Sequence, residues 1–583
     1  MGARRIANPK CGQAMSFERL PAGGAGHGAA EPAAFFLAGR PRFDNAELHR
    51  MASSSQAAAW NHAVRVHGAG AALQASGDFA VGLRAPDGRA FMAVDRFAIR
   101  SLCYRVDDGQ LRFAERADEL ADSATGIDPQ AIFDYLYFHV IPSPRTIFKG
   151  IYRLPPGHCA LMQDGRLTVT RYWTPGFEEH DGRSFKSLKQ EFRSLLHKAV
   201  QTQLGGRDPA CFLSGGTDSS TIAGMATQAS GKAVASYSIG FDAQGYDEMA
   251  FARMASTHFK TIHHEYYVTP EDLVRSIPAV AAHYDQPFGN SSAVPAYLCA
   301  RMARDDGVSM LLAGDGGDEL FGGNSRYARQ RVFGWYHQVP QWARRALIEP
   351  LVGTRVAQAY PLGRKAASYV EQAREAMPDR LQNYNLLLRL GLPQVLTPAM
   401  TAQVDASAPL AWQREVWHSA KDCSLLNQEL AFDWRFTLGE CDLPKVVGSA
   451  GLAGVAVGFP MLDPQLLAFS QRLPTAHKLK GLQLRWFFKE ALRGFLPDAI
   501  LTKKKQGFGL PFGVWVNQHA GLRAMATEAL RSLADRGVVR SDFIRTVLER
   551  RLPEHPGYYG EMVWILMVLE FWLRDKAPHY RLS

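Results

Sequence analysis

Two short stretches of the chain combine residue types that can handle a polyphosphate. The first is Ser214-Gly215-Gly216-Thr217-Asp218-Ser219-Ser220. Gly215 and Gly216 allow a sharp turn and leave no Cβ between the backbone and a ligand. The backbone N–H groups of a following helix would face an anion with the positive end of the helix dipole behind them. Ser214, Ser219 and Ser220 add hydroxyl donors. Asp218 would repel phosphate unless it held Mg²⁺. An ordinary Gly-Ser turn capped by aspartate is the plain alternative. The second stretch is Gly314-Asp315-Gly316-Gly317-Asp318-Glu319. Its three clustered carboxylates among glycines suit a Mg²⁺ site facing the first loop, or else an acidic surface turn.

Both stretches follow apolar runs, Ala210–Leu213 and Ser309–Ala313, that read as buried strands. Ala235–Phe241 and His264–Val268 read as further strands, with helices between them. The alternation predicts a parallel α/β sheet with its ligand at the strand C-termini. No G-x-x-x-x-G-K-[ST] occurs in the chain, so a P-loop is excluded. Before this region the pattern is strand-like. Ser76–Leu83 and Arg89–Val94 flank the turn signal Pro86-Asp87-Gly88, and a second hairpin is expected around Asp164-Gly165. The stretches 95–104 and 110–114 are expected to continue the same sheet. Trp173–Gly182 reads as a polar linker, and 184–204 as an amphipathic helix. Residues 324–440 are helical in character and carry no usable motif. Lys503-Lys504-Lys505 before Gln506-Gly507-Phe508-Gly509 reads equally as a basic lid over phosphates or as a solvated loop.

Composition narrows the class. The chain has 583 residues, 46% hydrophobic and 21% charged, values of a multidomain globular protein. The net charge is +10, but the longest basic run is three residues, so a polyanionic substrate is a simpler partner than nucleic acid. The seven cysteines form no C-x-x-C pair and read as reduced thiols of a cytoplasmic protein. Arg4 and Arg5 are followed by no apolar core of a signal peptide. The greasiest segment, Met562–Leu573, is too short to span a bilayer and contains Glu570, so a buried helix is expected and no membrane partner.

The Ser-Gly-Gly-x-Asp-Ser-Ser loop resembles the pyrophosphate loop of ATP pyrophosphatases, and the 314–323 stretch resembles a motif of asparagine synthetases and β-lactam synthetases. The segment YLYFHVIPSPRTIFKGIYRLPPGH (135–158) is similar to the end of the first domain of glutamine-dependent asparagine synthetases. GDFAVGL and AVDRFAIRSLCY resemble their class II amidotransferase domain. The resemblance implies an α+β sandwich of the Ntn type over 1–175. An ATP-pyrophosphatase α/β domain with a helical C-terminal extension would follow over 184–583. It further implies ATP contacts from Leu213, Ile239 and Gly314, and Mg²⁺ between Asp218 and Asp318. Asp315 would be an acid/base carboxylate, and Lys505 a lysine at the reacting carbonyl.

Two departures shape the expectation. The family's amidotransferases carry cysteine after the initiator methionine, where this chain has Gly2, and Cys11 is too far along. Their glutamine-holding Asn-Gly-Glu is here Ala38-Gly39-Arg40. A scaffold that has lost glutamine hydrolysis is expected. Between Lys445 and Pro460, Val447, Gly448, Ala456 and Gly458 stand where the family has Asp, Arg, Glu and Arg, which argues against aspartate as the acceptor. The expected activity is adenylation of a small-molecule carboxylate by ATP, release of pyrophosphate and amide formation with ammonia or an amine, in a possible homodimer. Intramolecular amide formation, as in β-lactam synthetases and lasso-peptide cyclases, and a non-catalytic ATP-binding scaffold are the alternatives.

Overall fold

The computed structural model describes residues 32–85, 88–354, 359–504 and 509–582. Gly2, Cys11, Pro86, Asp87 and Lys505 through Phe508 lie outside them. The chain divides into two compact units, residues 1–120 with 150–174, and residues 121–149 with 175–583.

In the first unit, strands β1 (Ala34–Gly39), β2 (Arg42–Phe43), β3 (Ala75–Ser76), β4 (Phe79–Arg84), β5 (Ala90–Val94), β6 (Cys103–Asp107), β7 (Gln110–Ala114), β8 (Tyr152–Arg153), β9 (His158–Gln163) and β10 (Arg166–Arg171) form three sheets. The largest is antiparallel, in the order β1-β4-β5-β9-β10. Both expected hairpins are present, and Asp164 and Gly165 at the second turn have positive φ. Period-2 alternation sends Phe79, Val81, Leu83 and Phe91 to one face, where they pack with Trp60 from the helix Gln56–His67. Ala80, Met92, Val94 and Ala160 point the other way, onto Leu102, Tyr104, Leu111 and Phe113. The central strands β4 and β5 are therefore buried on both faces, while the edge strand β10 is largely exposed.

The expectation that 95–104 and 110–114 continue this sheet is corrected. The buried Asp95 carboxylate accepts N–H bonds from Phe79 (3.2 Å), Phe97 (2.9 Å) and Ile99 (3.3 Å). These bonds wrap 95–101 into a tight turn, and the chain re-enters as β6 in a separate β7-β6-β8 sheet. Burial raises the Asp95 carboxyl to about 7, with its backbone donors opposing the shift.

In the second unit, β11 (Ala210–Phe212), β12 (Ala235–Phe241), β13 (Ile262–Val268), β14 (Met310–Leu312) and β15 (Ala456–Gly458) make a wholly parallel sheet ordered β13-β12-β11-β14-β15. The chain steps outward from β11 to β13, then returns to the other side for β14. The topological switch point thus lies between β11 and β14, where open α/β sheets hold ligands. Its central strands are short unbroken apolar runs because helices cover both faces. The expected amphipathic helix is Phe185–Leu204, with Ser184 accepting the Ser187 N–H and Gly205 closing it in the left-handed region. Residues 121–149, read from sequence as closing the first domain, pack within this second unit. Tyr135 Oη donates to the Ile565 carbonyl (2.8 Å), and Ser143 Oγ donates to Glu440 (2.6 Å).

The apolar C-terminal stretch lies in the buried helix Pro556–Lys576. Among the described residues no helix is long and apolar enough to cross a membrane. Glu570 is completely buried and accepts from Arg536 Nε (2.7 Å), Arg574 Nε (2.7 Å) and Ser532 Oγ (2.6 Å). Removing one member of such a pair leaves an uncompensated buried charge. Glu570→Ala is therefore expected to destabilise this unit by about 3–5 kcal/mol. Glu570→Gln, which keeps hydrogen-bonding capacity, should cost less. Thermal melting of the two variants beside wild type checks the order.

Candidate active site

The β11 and β14 loops lie side by side because Cys211 and Leu312 are in register. The loop after β11 turns at Gly215, whose φ of +73° and close approach to the Phe251–Ala252 backbone require glycine. It enters the helix Thr217–Ser230 through Gly216, which offers no side-chain cap, so the first N–H groups stay available to an anion. Ser219 Oγ braces the loop through the Ser214 N–H (3.1 Å) and the Ser214 hydroxyl (2.9 Å). Ser220 is completely buried, and its hydroxyl has no hydrogen-bond partner.

Glycines in the β14 loop make room for carboxylates. A Cβ at Gly317 would collide with Asp218, one at Gly323 with Asp318, and one at Gly314 with the Ser219 backbone. The two carboxylates converge on a single cation. Arg485 Nη1 donates to Asp218 Oδ2 (2.7 Å) and Asp318 Oδ1 (2.8 Å), and its Nη2 also pairs with Asp218. Arg485 is nearly buried, in the left-handed conformation at the start of the helix Trp486–Leu492, with its guanidinium over the Phe488 ring at 4.1 Å. Burial opposes its charge, but the two carboxylates prevail and hold its pKa above the ordinary arginine value. Sequence reasoning missed this residue. The available signal was Arg485-x-x-x-Lys489, two cations one helical turn apart with apolar residues between.

Asp218 and Asp318 thus lie together around an arginine. Their carboxylates are hard oxygen donors of the kind Mg²⁺ takes, although among the described residues no group of three or more potential metal ligands gathers. Asp315 stands nearby, with Lys445 Nζ 3.9 Å from it and 2.9 Å from Asp442. Desolvation raises Asp315 to about 6; Lys445 opposes the rise and Asp442 adds to it.

These groups line a cavity of about 800 Å³, which also takes in Leu213, Ser214, Gly216, Ser219, Ile239 and Gly314. Its other cations are Lys489, Lys503 and Lys504. Lys489 is half-buried, and burial followed by repulsion from Arg485 lowers its pKa. Lys503 pairs with Glu248 (2.5 Å) and stacks on Phe251. Lys505 lies outside the described residues. At two of the four 445–460 departures, Gly448 and Gly458, the space is filled, whereas Ala456 is exposed. A Cβ at Gly448 would meet the Tyr284 ring at 2.5 Å, and one at Gly458 would meet Met310 at 2.6 Å and Gln203 at 2.9 Å.

The asparagine synthase family pattern matches residues 191–574, and a glutamine amidotransferase domain pattern matches residues 42–173. The glutamine-hydrolysing asparagine synthetase 1 of Bacillus subtilis is 23% identical over 82% of this chain and 74% of its own length. The glutamine-hydrolysing asparagine synthetase 3 of the same organism is 24% identical over 72% of this chain and 64% of its own length. The protein named amidase chyE of Penicillium rubens is 25% identical over 73% of this chain and 68% of its own length. The match over two thirds of the chain, centred on the paired loops of a parallel sheet, establishes that the chain belongs to the asparagine synthase family of ATP-dependent carbon–nitrogen ligases.

Proposed function

We propose that the enzyme adenylates a small-molecule carboxylate with ATP and couples it to ammonia or an amine. The observation that supports this most is the pair of carboxylates gathered around one cation beneath an uncapped helix N-terminus. The 214–220 loop holds the phosphates through its N–H and hydroxyl groups, with Leu213, Ile239 and Gly314 against the nucleoside. Asp218 and Asp318 would hold Mg²⁺, which when bound offsets the negative charge of the outer phosphates. A carboxylate oxygen of the substrate attacks the α-phosphorus, the bond to the β-phosphate oxygen breaks, and pyrophosphate leaves. Arg485 and Lys489 face the leaving charge, supplying preorganised stabilisation.

The amine then attacks the acyl carbonyl and AMP departs. Asp315 accepts the proton released by the amine, held by Lys445, and Lys505 stabilises the developing oxyanion. Filling of the Gly448 and Gly458 positions by Tyr284, Met310 and Gln203 favours an acceptor other than aspartate. It is equally consistent with an amine supplied by the substrate itself, in intramolecular amide formation. The reaction takes place in the cytoplasm. A screen of carboxylates for ATP-dependent pyrophosphate release tests the proposal, and nucleotide binding without release for any carboxylate would favour a non-catalytic scaffold.

Asp218→Ala and Asp318→Ala are each expected to lower pyrophosphate release by on the order of a hundredfold or more. Release within about twofold of wild type, a negligible change in free energy, would remove these residues from the metal site.

The pH dependence follows from Asp315. Its carboxylate must be ionised to accept a proton, so amide formation should rise with pH through an apparent pKa of about 6. Lys445 lowers that pKa, so Lys445→Met should move the acid limb to higher pH, and Asp315→Asn should abolish it. A rate–pH profile unchanged in Lys445→Met contradicts the assignment.

The nitrogen source follows from Arg40, which sits directly after β1 with its N–H donating to the Asp78 carbonyl (2.7 Å). A cation there replaces the carboxylate expected to hold the glutamine amine. Glutamine should therefore support no more amide formation than buffer, whereas ammonium salts support turnover. Glutamate release from glutamine at turnover rates overturns this.

A further inference from the structure

The chain's net charge is unevenly placed. Residues 325–374 carry nine lysines and arginines against two glutamates, seven of the chain's net ten positive charges. The helices of this segment also present large apolar side chains to solvent. Trp342 is 70% exposed, Leu347 61%, Leu351 70%, Tyr360 66% and Leu362 80%.

The exposure follows from the helix geometry. The helical run 341–353 contains a π-turn at Arg344–Ile348. The wider turn brings residues five apart onto one side, so Trp342 and Leu347 align, and Leu351 follows one α-turn later. Ile348 and Val352, on the side about a quarter turn around the helix, pack into a core of Phe333, Tyr336, Val370 and Ala373. The run is therefore apolar on two sides with only one of them covered, a state that in a soluble helix calls for a partner. The Pro361–Arg374 helix packs beside it, tied by the Arg374–Glu349 ion pair (2.7 Å), and adds Leu362 next to Arg364 and Lys365. Arg345, Arg364 and Lys365 are all exposed.

We infer that this face docks on an anionic lipid surface. Tryptophan, tyrosine and leucine standing out of short helices among arginines and lysines match the chemistry of a bilayer interface, with apolar side chains entering at headgroup depth and cations meeting lipid phosphates. A second copy of the chain would bring the same positive charge against itself. No helix spans the bilayer in this arrangement. In this proposal the enzyme would lie on the surface.

The test is flotation of the full-length protein with vesicles of phosphatidylcholine alone and with about one third phosphatidylglycerol. Binding to the anionic vesicles only, weakening as salt rises, is the expected result. Both the Trp342→Ser/Leu351→Ser/Leu362→Ser variant and the Arg345→Glu/Arg364→Glu/Lys365→Glu variant should bind at least tenfold more weakly, with unchanged melting midpoints. Absence of wild-type binding to anionic vesicles at low salt overturns the inference, whatever the variants do. So does equal binding by folded forms of both variants; a partner protein that occupies this face instead would leave the vesicles unbound.

Discussion

Two aspartates from loops a hundred residues apart cannot be brought together without a cation, and the active-site half of the molecule is arranged around that requirement. At an effective dielectric near 20, like charges a few ångströms apart repel by several kcal/mol. Arg485 answers this in the structure by donating to both Asp218 and Asp318. Its left-handed backbone turns the side chain back toward the sheet at the start of a helix whose next residues, Phe487 and Phe488, are completely buried. Phe192, Phe321 and Phe488 pack against one another in edge and tilted contacts, so the arginine stands on a rigid aromatic base.

The same requirement explains the glycines. Position 317 must leave space for Asp218 and position 323 for Asp318, and neither could carry a Cβ. It also bears on the metal. The carboxylates are already desolvated and oriented by a monovalent cation, so a divalent ion would meet a preformed donor pair. Lys489, one turn on, has its pKa lowered first by burial and then by repulsion from Arg485, both of which disfavour its charged form.

Much of this arrangement was legible in sequence, for a physical reason. The parallel strands are apolar runs that end at glycine-rich loops, and local spacing alone placed Asp218 and Asp318 at strand ends. The less legible parts depend on connectivity. Arg485 lies 267 residues from Asp218, and its spacing from Lys489 marks a cationic helix start without saying which carboxylates it meets. β15 is three residues long between glycines, so its place beside β14 follows only from the sheet. Residues 95–104 resemble a strand in composition, but the side chain of Asp95 competes for the backbone N–H groups a ladder would use. The basic character of 325–374 was hidden because its cations are spread as single residues and adjacent pairs, with no longer run. What sets the segment apart is the scarcity of acids between them, together with apolar side chains on two sides of one helix.

In the first unit the residues that hold the fold together are separate from the 38–40 stretch. The unit's stability lies in a sheet whose central strands are covered on both faces, with Trp60 completely buried against Phe43 and Phe79. None of these residues belongs to the glutamine-holding stretch at Ala38-Gly39-Arg40. That stretch ends an edge strand, paired on one side only, to β4. The requirement there is steric: a Cβ at Gly39 would collide with the Asp78 carbonyl, so glycine must stay. The next position has no such constraint, and an arginine fits at the strand end, where its backbone N–H still meets Asp78. An arginine at position 40 is therefore accommodated without opening the core, because the residues that hold the sheet together lie elsewhere.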